Sequence, residues 1–94
     1  MKEHLNILVV EDDEADRMLV RDLLAETKLK VNVEEVSDCK SGVGKIKTQD
    51  FDCALIDYYL PDAKGLEVID QLREVDGKEI PLIVLTGMGS ETMA

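Results

Sequence analysis

The chain has 94 residues, which fits a single domain, and its 21 acidic against 11 basic side chains give a net charge of -10, which opposes contact with nucleic-acid phosphates. A basic partner or a divalent cation matches this charge better. The apolar runs are too short to cross a membrane and two cysteines are too few for a disulfide framework, so we expect a cytoplasmic protein without membrane or nucleic-acid contact.

The first apolar run, residues 7–10, is short, rich in β-branched residues and free of polar alternation, which predicts a strand buried on both faces. A segment of helical period follows over about residues 14–27, and Asp13 is placed to cap its start. The inner face that the spacing predicts for this helix consists of Ala15, Met18, Leu19 and Leu23.

The next run, residues 31–36, alternates apolar and polar side chains, which predicts a strand nearer to an edge of the sheet. A second helix is predicted over about residues 39–47, where Gly42 and Gly44 interrupt the helical pattern. Each glycine inside a helix costs roughly 1 kcal/mol relative to alanine. We therefore expect this helix to be the weakest of the three.

A third buried strand is predicted over residues 53–56, followed by a helix over about residues 65–74. The inner face of that helix consists of Leu66, Val68, Ile69 and Leu72. Residues 82–85 predict the last strand, and Ser90 then has the position of an N-cap for a fourth helix.

The alternation of four strands with three helices predicts an α/β fold, a doubly wound parallel sheet with right-handed crossovers. We interpret residues 1–94 as one incomplete domain that ends at the start of the fourth helix. An uncovered parallel edge pairs readily with another chain. We therefore expect a homodimer, strand exchange or a loosened edge at residues 82–86.

Polar side chains follow three of these strands, at the edge of the sheet where open α/β folds bind ligands. Glu11 and Asp12 follow the first strand, Asp57 follows the third and Thr86 follows the last. Carboxylates this close together either raise one pKa or hold a cation, and hard oxygen ligands favour Mg²⁺, Mn²⁺ or Ca²⁺. An acidic group can also simply complement a helix dipole, which is our interpretation of Asp13.

At these residues the sequence resembles the receiver domains of two-component response regulators. The matching segments are residues 7–13, 54–69 and 81–87, which occur in order and at the spacing of the family. The resemblance implies a flavodoxin-like sheet with strand order 2-1-3-4. It also implies that this chain lacks the usual fifth strand and fifth helix, together with the lysine that the family carries there.

The resemblance implies a role for each candidate residue. Asp57 would be the phosphoacceptor, which receives a phosphoryl group from a phosphohistidine of a sensor histidine kinase or a phosphotransfer protein. Thr86 would be the switch hydroxyl. Mg²⁺ would be bound by Glu11, Asp12, Asp57 and the backbone carbonyl of Tyr59. Such a domain is regulatory and not an enzyme, although it takes part in its own phosphoryl transfer and dephosphorylation.

The family resemblance also bears on the neighbours of these residues. The side chains two positions after the phosphoacceptor and after the threonine tune hydrolysis in this family, and here they are the bulky Tyr59 and Met88. We therefore predict slow autodephosphorylation. Tyr58, between Asp57 and Tyr59, is predicted to lie in the core.

Two other functions stay open at this point. A degenerate receiver that acts only as a protein-interaction module would explain the missing lysine. A Mg²⁺-dependent phosphohydrolase would use the same carboxylates, but it needs a general acid or base near the metal. The only histidine, His4, is remote in sequence from all of them.

Overall fold

The computed structural model describes residues 4–28, 30–63, 66–73 and 80–85. Its elements, in chain order, are β1 (His4–Val10), α1 (Glu14–Ala25), β2 (Lys30–Val36), α2 (Cys39–Thr48), β3 (Cys53–Asp57), α3 (Leu66–Arg73) and β4 (Leu82–Leu85). The four strands pair in parallel in the order β2-β1-β3-β4. This confirms the predicted flavodoxin-like α/β fold and its strand order.

β1 lies in the middle of the sheet because its side chains are apolar on both faces. Residues 7–10 are each at most 4% exposed, and they pair with β2 on one side and with β3 on the other. The alternating strand β2 lies at the edge of the sheet, as predicted. Within the described part of the chain, no helix has the length and apolar character that crossing a membrane requires.

Alternate side chains of the strands enter two separate cores. On one face, Leu8 and Ile56 pack with α2 and α3, whose Ile46 and Leu72 are buried there. On the other face, Ile7 and Val9 pack against Val20 of α1, which is a smaller cluster. The sheet is therefore covered by two helices on one side and by one described helix on the other.

The buried face of α1 differs from the prediction. Val20 is 4% exposed, whereas Met18, Leu19 and Leu23 are between 43% and 53% exposed and Ala15 is also exposed. Two arginines of α1 are paired with β2 in this orientation. The guanidinium of Arg21 makes two hydrogen bonds to Glu35 of β2, and Arg17 lies 3.8 Å from the same carboxylate. Val20 and Leu24, one turn apart on α1, pack against Ile7 and Val9 of β1, so the stripe with the most apolar residues faces outward.

The ends of the helices agree with the prediction to within two residues where they are described. The carboxylate of Asp13 accepts a hydrogen bond from the Asp16 N–H, which confirms it as the N-cap of α1. α1 ends two residues before the predicted position because the N–H and hydroxyl of Thr27 both bond the Leu24 carbonyl. The predicted ends of the third helix, residues 65 and 74, lie outside the described residues.

Substitution by alanine is expected to have different effects on stability at the two glycines of α2. A Cβ on Gly44 would meet no atom of the described residues within 4 Å, whereas a Cβ on the buried Gly42 would lie 3.1 Å from Cγ2 of Val10. We expect Gly44→Ala to raise the free energy of unfolding by about 1 kcal/mol through helix propensity. Gly42→Ala should raise the free energy of unfolding less or lower it, because the side chain of Val10 must shift to make room for the Cβ. Urea unfolding followed by circular dichroism compares the two, and an equal gain in both would contradict this account.

β4 is the end strand of the sheet among the described residues, and its Ile83 is 47% exposed. Ile83 pairs with Leu55, so it lies on the face that carries α1 and its exposed leucines. Association of two copies through this edge stays a prediction. We expect light scattering to show a dimer whose population falls in Ile83→Lys, while unfolding of the monomer is little changed. A wild-type chain that stays monomeric at high concentration would contradict it.

Candidate metal site

Three carboxylates meet at the carboxyl edge of the sheet. Glu11 and Asp12 directly follow β1, and Asp57 is the last residue of β3. The two strands are paired neighbours, with Val10 opposite Ile56, so their ends reach the same edge. One carboxylate oxygen of each of the three residues lies within 4.8 Å of the others. The structure thus brings together three residues that the sequence predicts as a metal site.

Glu11 is the most buried of the three, with 1% of its surface exposed. Its Oε2 accepts the backbone N–H of Asp13 at 3.1 Å, but its buried Oε1 has no hydrogen-bond partner among the described residues. A buried carboxylate oxygen without a partner is costly, and native structures rarely leave one unsatisfied. A cation bound at this oxygen would offset the cost of the missing hydrogen bond.

The backbone of Glu11 is also held firmly. Its N–H donates to the Val36 carbonyl at 3.0 Å, which extends the pairing with β2 by one residue. Its carbonyl accepts a hydrogen bond of 2.8 Å from Nη1 of Arg17. Helical period carries no signal for this contact of Arg17, so the sequence alone does not predict it. The carboxylate of Glu11 therefore projects from a fixed backbone.

Without a metal ion, the carboxyl groups of Glu11 and Asp57 ionise less readily than exposed ones. Burial raises the pKa of Glu11 to about 7, and the negative charge of Asp57 adds to this while the Asp13 N–H opposes it. Burial likewise raises the pKa of Asp57, and the negative charge of Asp12 adds to this while the Tyr59 N–H opposes it. A divalent cation among these oxygens would remove the conflict by favouring the ionised forms.

The loop after Asp57 carries the two tyrosines of the chain. Tyr58 is 36% exposed, which corrects its predicted core position, and Tyr59 is 60% exposed. Their rings meet edge to face with centroids 4.9 Å apart. The N–H of Tyr58 donates to the Leu85 carbonyl and extends the pairing of β3 with β4 by one bond. Its ring is partly exposed because the residue lies at the end of the strand.

Several predicted residues lie outside the described part of the chain. These are Thr86, Met88 and Ser90. The residue before them, Leu85, pairs with Asp57 across the sheet. His4 begins β1 and is exposed, whereas Glu11 follows the other end of that strand, about 20 Å away at the rise of an extended chain. The only histidine of this chain is therefore remote from the carboxylates.

Comparison with known proteins identifies relatives of this arrangement. The model of the response regulator receiver domain family matches residues 7–94. The transcriptional regulatory protein SrrA of Staphylococcus aureus is 31% identical over 86 residues, which is 92% of this chain and 34% of that protein. The chain thus spans about a third of the length of this curated relative.

Solved structures of the same fold include two that bear on the site. The receiver domain of the sensor histidine kinase PA1611 from Pseudomonas aeruginosa, with magnesium coordinated in its active site cleft, is 27% identical with a TM-score of 0.79 over 89% of this chain and 68% of that one. The phosphorylated cyanobacterial phytochrome response regulator RcpA is 27% identical, with a TM-score of 0.76 over 93% and 68%.

Proposed function

Because this chain belongs to the family of response regulator receiver domains, we propose that it is a phosphoacceptor module in which Asp57 takes a phosphoryl group in a Mg²⁺-dependent reaction. Receiver domains are regulatory and interact with histidine kinases or phosphotransfer proteins. The observation that carries the proposal is the cluster of Glu11, Asp12 and Asp57 with its unsatisfied buried oxygen.

The donor set suits Mg²⁺. The ligands would be carboxylate oxygens of Glu11, Asp12 and Asp57 and the backbone carbonyl of Tyr59, all of them hard oxygen donors. Glu11, the most buried, would contribute through water or through its free oxygen. Relatives of this fold carry magnesium in the cleft, or are described in a Mn²⁺-bound form. A bound divalent cation supplies charge neutralisation around the transferred phosphoryl group.

The residues of the chain would supply the acceptor and its orientation. A carboxylate oxygen of Asp57 forms the new bond to phosphorus while the bond from phosphorus to the imidazole nitrogen of the donor breaks, and the imidazole leaves. The N–H of Tyr59 favours the ionised form of the Asp57 carboxyl, which is the form that attacks phosphorus. Thr86, by its place in the family motif, would be the hydroxyl that responds to the phosphoryl group.

Intact mass measures this function directly. The purified chain is incubated with acetyl phosphate, a small donor that replaces the partner kinase, in Mg²⁺ or in excess EDTA. We expect the gain of one phosphoryl group in Mg²⁺ and none in EDTA. A chain that is folded by circular dichroism and gains no phosphoryl group in Mg²⁺ would contradict the proposal and favour a protein-interaction module.

The phosphohydrolase alternative gains no support from the site. It needs an acid or base near the carboxylates, and the only histidine begins β1 at the far end of the sheet. The carboxylate cluster in turn weighs against a module that binds proteins only. Such a module would bear the cost of the unsatisfied buried Glu11 without a cation to offset it.

We predict that the aspartyl phosphate is long-lived. The exposed ring of Tyr59, held against Tyr58, is bulky enough to obstruct water near Asp57. Tyr59→Ala should speed loss of the phosphoryl group several-fold, whereas Leu23→Ala, an exposed truncation on α1, should not. Loss of mass after removal of the donor follows the decay in Mg²⁺ buffer. Rapid decay in the wild-type chain would contradict the prediction.

A further inference from the structure

Asp62, in the loop between β3 and α3, binds a helix that is distant in sequence. Its Oδ1 accepts the backbone N–H of Cys39 at 2.8 Å, and its Oδ2 accepts the backbone N–H of Lys40 at 3.0 Å. These are the first two residues of α2. Because both oxygens accept hydrogen bonds, the carboxylate is held at two points, and bonds to an ionised acceptor are the stronger kind.

The same helix has a cap of its own. Asp38 precedes α2, and its Oδ1 accepts the Ser41 N–H at 2.7 Å. Asp38 and Asp62 therefore divide the free N–H groups of the first turn between them, and both charges favour that end of the helix. Only Asp62 also attaches the loop that follows β3 to α2.

That loop is restrained along its whole described length. Its beginning is bonded to β4 through the Tyr58 N–H and the Leu85 carbonyl. Leu60 is 2% exposed, and its N–H donates to the carbonyl of the buried Ala63 at 3.1 Å. Asp62 lies inside this turn, so its two bonds to α2 decide where the turn sits against the rest of the protein.

The restrained loop leads to the metal site. Tyr59 lies three residues before Asp62, and its N–H opposes the rise in the pKa of Asp57 that burial causes. A shift of the turn would move that N–H and the Tyr59 carbonyl relative to Asp57, because the buried Leu60 links the two parts of the loop.

We infer that Asp62 is a positioning residue for the metal site: by fixing the β3–α3 loop to the first turn of α2, it holds Tyr59 where its backbone can serve Asp57 and the bound cation. This inference rests on the proposed function, which supplies the cation and the role of the Tyr59 carbonyl. It assigns to Asp62 an effect on the site that an ordinary helix cap does not have.

Asp38 offers a matched control. Asp38→Ala and Asp62→Ala each remove one carboxylate from the first turn of α2, but only the second releases the loop. Asp62→Asn keeps one acceptor oxygen and is the conservative variant. All three are made in the 94-residue chain, and folding is checked by far-UV circular dichroism.

Tyrosine fluorescence provides the measurement. The chain has two tyrosines and no tryptophan, so its emission reports the loop at Tyr58 and Tyr59. In a Mg²⁺ titration we expect Asp62→Ala to weaken the apparent affinity about tenfold, the usual size of an effect from outside the ligand shell. Asp38→Ala should stay within about twofold of wild type, although its urea midpoint falls, and Asp62→Asn should recover part of the loss.

Amide hydrogen exchange of residues 58–63 in metal-free protein gives a second, independent readout. We expect faster exchange in Asp62→Ala and wild-type rates in Asp38→Ala. Equal Mg²⁺ affinities and equal exchange in the two alanine variants would overturn the inference and leave Asp62 as a cap of α2 only. Should Asp62→Ala fail to fold, Asp62→Asn decides by the same two comparisons.

Failure of the proposed function has a different signature. In that case the wild-type chain itself would show no response to Mg²⁺ in fluorescence and no gain of mass, and the inference about the metal site would fall with it. If the wild-type chain responds to Mg²⁺ but Asp62→Ala and Asp38→Ala give the same affinity and exchange, only the inference about Asp62 is overturned.

Discussion

Asp57→Asn should abolish phosphorylation of the chain. The substitution keeps the size of the side chain and its place at the end of β3, but an amide oxygen is not the nucleophile that a carboxylate is. Intact mass after incubation with acetyl phosphate and Mg²⁺ should show no added phosphoryl group. Folding should persist, because the variant also removes one negative charge from a cluster in which burial opposes that charge.

Asp70→Asn is the control for this result. Asp70 lies exposed on α3, so its variant carries the same change of charge away from the carboxylate cluster. It should gain one phosphoryl group like the wild-type chain. Phosphorylation of Asp57→Asn at the wild-type level would place the acceptor on another residue and contradict the assigned role.

Glu11→Gln should make the metal-free protein more stable and its response to Mg²⁺ weaker. The wild-type carboxylate is buried with Oε1 unsatisfied beside Asp57, and relieving such a group is worth about 1–3 kcal/mol. The amide oxygen can still accept the Asp13 N–H, while the amide nitrogen can donate to the neighbouring carboxylate. The variant therefore reverses the usual expectation that a change in a buried residue destabilises the fold.

The effect of Mg²⁺ on unfolding measures the other half of this prediction. At a concentration 100-fold above its dissociation constant, Mg²⁺ should raise the free energy of unfolding of the wild-type chain by about 2.7 kcal/mol. Each tenfold loss of affinity in Glu11→Gln reduces this gain by about 1.4 kcal/mol. Urea unfolding by circular dichroism, with Mg²⁺ and with EDTA, gives both quantities.

Glu26→Gln is the matched control, because Glu26 is exposed at the end of α1 and carries the same change of charge. It should change the metal-free stability by only a few tenths of a kcal/mol and keep the full response to Mg²⁺. A Glu11→Gln variant that is less stable without metal than the wild-type chain would contradict this account of the unsatisfied Oε1.

The sequence alone determined the parallel sheet and the location of the carboxylates. Uninterrupted apolar runs predict strands buried on both faces, and residues that directly follow such strands reach one edge of a parallel sheet. Glu11, Asp12 and Asp57 follow β1 and β3 in this way, so their meeting required no knowledge of side-chain packing.

The tertiary structure decided what depends on contacts between distant elements. Periodicity gives the spacing of residues within a helix but not which stripe turns inward, and for α1 the packing of Val20 and Leu24 against β1 decided this. The unsatisfied oxygen of Glu11 and the two hydrogen bonds between Asp62 and α2 likewise depend on the relative positions of separate elements in the fold. Local pattern carries no signal for such contacts, because their partners are distant in the sequence, as Asp62 is from Cys39 at 23 residues.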